Sequence, residues 1–113
     1  MNLLESENEK KWTYIPKLKS EIEKWSSQQG ETIYKTAVIP QQKTIEVYIF
    51  YKKNKQLAES QTNGIVERTK DEIKNILEKL GYFNEFDDTI KFEFDTHENV
   101  KKNYKGNYFY RLR

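Results

Sequence analysis

Between Ile65 and Leu80, the positions Ile65, Thr69, Ile73, Ile76, Leu77 and Leu80 recur at steps of three and four, and charged residues fill most of the gaps. That spacing puts one side of an α-helix toward a core and the charges toward solvent. Gly81 stands where a helix commonly ends in a left-handed residue, and Tyr82 can pack back over the last turn. An amphipathic helix of this length gains most of its stability by burying its stripe against something else. The remaining segments must therefore supply an apolar surface for it.

Two β-rich runs do so. "ETIYKTAVIP" and "KTIEVYIFYKK" read as strands of a hairpin joined at Pro40-Gln41-Gln42. In the second, alternation puts Ile45, Val47, Ile49 and Tyr51 on one face and Glu46, Tyr48, Phe50 and Lys52 on the other. "DDTIKFEFD" alternates as cleanly, with Ile90, Phe92 and Phe94 inward and Lys91, Glu93 and Asp95 outward. "NYFYRLR" is read as a last strand with Tyr108, Tyr110 and Leu112 facing the core. A second amphipathic stripe, Trp12, Ile15, Leu18, Ile22 and Trp25, predicts a helix over 16–28. Pro16 either opens it or kinks a longer helix begun near Leu4, and Gly30 ends it. "KNKQLAESQTNG" reads as a loop with a helical turn at Gln56–Ser60. "THENVKKNY" reads as a short helix capped by Asp95 or Thr96, with Val100 and Tyr104 inward.

The expected fold is α+β: a four-stranded, mainly antiparallel sheet with two main helices packed on one face. The expected order is α-β-β-α-β-β, with a short helical turn between the last two strands. With 113 residues, the chain has the size of one domain, and 1–113 is read as a single α+β unit. Aromatics make up 14% of it, which argues against disorder. Net charge is +2, too small to announce a nucleic acid or membrane by long-range field. There is no cysteine, as suits a reducing compartment. Leu3-Leu4 runs straight into "ESENEKK", so no apolar leader is read, and no run approaches membrane-spanning length. These features predict a cytoplasmic protein.

Few motifs carry chemistry. His97 is the one histidine and has no nucleophile setting beside it. The glycines are isolated and form no phosphate loop. The acidic stretch from Glu85 to Glu98 lacks the spacing of a calcium loop. No catalytic residue, metal or cofactor is expected. The C-terminal strip interleaves aromatics with Lys101, Lys102, Lys105, Arg111 and Arg113, the mix a single-strand nucleic-acid surface uses. Its aromatic spacing does not match the RNA-recognition signature, and Glu93 and Asp95 are placed to neutralise Arg111 or Arg113 across strands. The expected function is a small non-catalytic protein-binding domain, of the bacterial immunity or antitoxin type, that neutralises a toxin by direct binding. Its surface would combine the acids Glu85, Asp87, Asp88 and Glu98 with Tyr48, Phe50 and Phe109 on an open sheet face. The alternative is a nucleic-acid-associated protein using the basic aromatic end. A monomer and a homodimer, pairing through the sheet, are both compatible with this reading.

Overall fold

The central hairpin forms as its alternation requires. β1 (Lys35–Gln41) and β2 (Thr44–Tyr51) pair antiparallel, with Val38 opposite Val47 and Gln41 opposite Thr44. The connection is Gln42-Lys43 rather than Pro40-Gln41-Gln42, because Pro40 and Gln41 belong to β1. The structure is a computed structural model that describes the backbone of residues 3–113 and the side chains of residues 9–113. The side chains of Leu3 and Leu4, on which the absence of a leader was read, lie outside it.

Around the hairpin stand α1 (Leu3–Gln28), α2 (Asn54–Thr62), α3 (Ile65–Lys79), α4 (Tyr82–Glu85), β3 (Thr89–Thr96), α5 (His97–Tyr104) and α6 (Tyr108–Arg111). α3 has the predicted limits. Asn63 Oδ1 accepts from Ile65 N at 3.0 Å at its start, and Gly81 takes a φ of 82° just past its end. α1 is longer than 16–28, and Pro16 sits inside it on the exposed side. The expected loop after β2 is the helix α2.

The four-stranded, mainly antiparallel sheet is corrected to a three-stranded mixed sheet of order β1-β2-β3. β3 runs parallel to β2, with Val47 opposite Phe92. The cause is the connection: α2, α3 and α4 carry the chain back to the end of the sheet from which β2 started, as a helical crossover does. The segment expected as a fourth strand is instead the helical turn α6. Lys105 and Gly106, at φ 55° and 76°, end α5 with a turn closed by Gly106 N to Val100 O at 2.9 Å. The chain is thereby thrown across the sheet rather than along its edge. Asn107 then caps a helical turn by accepting from Tyr110 N at 3.2 Å.

Helices consequently cover both sheet faces. On one, Ile15, Leu18 and Ile22 of α1 and Ile73, Ile76 and Leu77 of α3 pack on Ile45, Val47 and Ile49. This is the face the two main helices were expected to share. Ile90, Phe92 and Phe94 touch this core but stay half-buried, because β3 is an edge strand. Trp12, expected in the α1 stripe, is exposed. On the other face, Val100, Tyr104, Tyr108 and Leu112 pack on Tyr48 and Phe50.

The second core makes a pH prediction. Burial, then the 2.7 Å hydrogen bond to Glu46, pushes the Tyr48 phenol from 10.0 up to about 12. Burial, then the neighbouring Tyr34 and Asp95, pushes Tyr108 up to about 12 as well. Above pH 10 the unfolded chain releases phenolic protons that the fold retains, so the folded state is progressively disfavoured. Urea midpoints should fall from pH 10 toward pH 12, and Tyr48→Phe should flatten part of that fall. An identical alkaline profile for the variant would show that Tyr48 does not contribute.

Candidate protein-binding surface

The predicted acids are mostly engaged within the fold. Asp88 lies under α1, where its Oδ2 is 2.7 Å from Lys11 Nζ and accepts from the Tyr82 hydroxyl at 2.5 Å. Lys11 Nζ also donates to Gln41 O at 2.8 Å and lies 5.3 Å from the centre of the Phe86 ring. Burial, then the hydrogen bond to Asp88, holds the Tyr82 phenol well above its ordinary range. Glu85 is exposed but accepts from Tyr14 OH at 2.7 Å, and that bond raises the Tyr14 phenol. Glu98 accepts from Asn54 N at 2.9 Å, satisfying an amide at the start of α2. Asp87 is exposed and bonds to no described residue.

The sheet face that was to carry Tyr48 and Phe50 is covered by α5 and α6. Phe50 is 0% exposed, with its ring edge-on to Tyr108 at 5.0 Å. Arg111 lies across this face. Its guanidinium is 5.9 Å from the Tyr48 ring and 5.8 Å from those of Phe50 and Tyr104. It donates to Asp95 at 2.5 Å and to Glu93 at 3.0 Å. Burial alone would lower its pKa, but the hydrogen bonds to Asp95 and Glu93 outweigh it and raise it. Charge is thus matched between β3 and the C-terminus, by a helix rather than by a strand.

Phe109, the remaining predicted site residue, is 68% exposed, and Tyr110 beside it is 55% exposed. A strand over this segment would put Tyr110 in the core, and the helical turn does not. In a helical turn Tyr108 and Leu112 share the inner side, so Phe109 and Tyr110 turn outward. The signal was present in the sequence: Val100, Tyr104, Tyr108 and Leu112 recur at four, and Asn107 is a favoured capping residue. Arg113 lies 5.2 Å from the Phe109 ring and 5.9 Å from that of Tyr110. Lys101, Lys102 and Lys105 on and after α5 are exposed and form no ion pair with a described residue.

His97 opens α5 under the cap of Thr96, which accepts from Asn99 N at 3.0 Å. Its ring lies against Tyr34 at 4.4 Å, and its Nδ1 is 2.9 Å from the Tyr108 hydroxyl. Among the described residues no cluster of His, Cys, Asp or Glu is placed to hold a metal ion, and no helix is long and apolar enough to cross a membrane.

Fold and surface together define a helix-covered three-stranded mixed sheet that presents a basic, aromatic C-terminal turn. No protein-family model matches the chain, nor does any curated protein or solved structure.

Proposed function

We propose that this chain is a small, non-catalytic protein-binding domain that docks an acidic surface of a partner protein on its C-terminal turn. The observation that carries the reading is the adjacent, solvent-exposed pair Phe109 and Tyr110 with Arg113 against both rings. Aromatics and Arg are the residues that dominate binding hot spots, and the segment 99–113 that carries them contains five basic residues and no acid. The acidic segment drops out of this reading because Asp88, Glu85 and Glu98 are bonded within the fold. In its most specific form the partner is a toxin domain that the chain neutralises by covering it, as immunity and antitoxin-type inhibitors do. That reading places the domain in the cytoplasm, in keeping with its lack of cysteine.

A nucleic acid would meet the same cations. It fits less well, because the net charge is only +2 and Arg111 is already paired with Glu93 and Asp95. The test is capture from a lysate of the native host, with the wild type and a Phe109→Ala/Tyr110→Ala double variant as baits, read by mass spectrometry. Both rings are exposed, so the variant should unfold at the wild-type midpoint. It should bind the captured partner at least roughly tenfold more weakly, as loss of hot-spot rings implies. Equal retention of that partner would remove this surface from the interface. Recovery of nuclease-sensitive material alone would favour the rival.

A further inference from the structure

β3 has β2 on one side and, among the described residues, no strand on the other. Thr89 N donates to Lys43 O at 3.1 Å, which sets the parity of the parallel ladder. Thr89, Lys91, Glu93 and Asp95 turn their backbone groups toward β2, and Ile90, Phe92 and Phe94 turn theirs outward. No hydrogen bond from a described residue reaches those outward groups. The side chains of the same three residues are only half-buried. A long edge of this kind is a template for another strand. The opposite edge is interrupted: β1 contains Pro40, which falls on its outward side and has no N–H to offer another strand.

We propose that β3 pairs antiparallel with β3 of a second copy of this chain, joining the two sheets into one. A two-fold axis makes such an interface self-complementary. Outward-facing residues must lie opposite outward-facing residues, so neighbouring registers differ in which residue meets its own copy. An axis through Glu93 sets Glu93 against Glu93, and an axis through Lys91 sets Lys91 against Lys91. An axis through Phe92 avoids both: Lys91 faces the partner's Glu93, Ile90 faces the partner's Phe94, and Phe92 faces the partner's Phe92. Lys91 is exposed and forms no ion pair with a described residue. Glu93 bonds Arg111 through Oε1 and remains 41% exposed, which leaves its second oxygen for the incoming lysine. The order apolar, basic, apolar, acidic, apolar in "IKFEF" is therefore complementary to its own reverse, which selects a second copy over an unrelated strand.

Sedimentation equilibrium and amide hydrogen exchange, each from micromolar to millimolar protein, test the pairing. A monomer–dimer equilibrium is expected. The amides of Ile90, Phe92 and Phe94 should exchange at least roughly tenfold more slowly at the high end than when dilute, while Lys91 and Glu93 stay protected throughout. Lys91→Glu replaces two attractive cross-strand pairs by two repulsive ones and should weaken association by roughly tenfold without moving the unfolding midpoint of the dilute monomer. A monomer at every concentration overturns the proposal. So does a dimer in which the Ile90, Phe92 and Phe94 amides exchange as fast as in the monomer. An unchanged dissociation constant for Lys91→Glu overturns the register.

Discussion

Replacing Asp88 by Ala should destabilise the protein by about 3–5 kcal/mol, the range for removing one partner of a buried ion pair. Lys11 and Asp88 have side chains 2% and 5% exposed, so neither ion can recover its hydration when the other is lost. With Asp88 gone, Lys11 retains a carbonyl, Gln41 O, and the face of Phe86, but no counter-ion among the described residues. The Tyr82 hydroxyl loses its acceptor in the same step. The loss is large against a total stability of about 5–15 kcal/mol for an ordinary domain. The pair as a whole contributes far less than this, because desolvating two ions offsets most of their attraction. A cycle with Lys11→Met separates the two quantities: the double variant Lys11→Met/Asp88→Ala should be clearly more stable than Asp88→Ala alone. Chemical denaturation reads both. A midpoint for Asp88→Ala within error of the wild type would show that Lys11 escapes to solvent.

Phe50→Ala should cost a similar amount, about 3–5 kcal/mol, as removal of a buried Phe side chain does. The ring is sealed between the sheet and the C-terminal helices, stacked 6.4 Å from Tyr48 and edge-on to Tyr108. Its removal opens a cavity under α5 and α6 and takes away a ring surface on which Arg111 lies. Amides of α5 and α6 should lose exchange protection before those of α3, because the second core is smaller than the first. Had Phe50 lain on an open binding face, the variant would keep its midpoint and lose only affinity. Phe109→Ala provides the contrast: full stability with weakened binding. An unmoved midpoint for Phe50→Ala would mean the ring does not pack under α5 and α6.

Local periodicity determined α3, both ends included, since Ile73, Ile76 and Leu77 can share one side only in a helix and Gly81 can readily take the left-handed turn that ends it. It also determined the two faces of β2, because alternation leaves no other division of Ile45, Val47 and Ile49 from Tyr48 and Phe50. A periodic pattern reports which side of an element is apolar, but not what lies across from that side. That Tyr48 and Phe50 are covered by α5 and α6 was therefore decided in three dimensions. The last segment shows why. Tyr108, Tyr110 and Leu112 fit a strand, Tyr108 and Leu112 fit a helix, and the turn at Lys105 and Gly106 chooses between them by directing the chain over the sheet. The direction of β3 followed from the path of α2, α3 and α4, and the end of the single segment "KTIEVYIFYKK" does not encode that path. The acids between Glu85 and Glu98 look alike by composition. Only the approach of α1 separates Asp88, neutralised by Lys11 in the interior, from Asp87, left in water, because Coulomb attraction and desolvation depend on distances that sequence order does not specify.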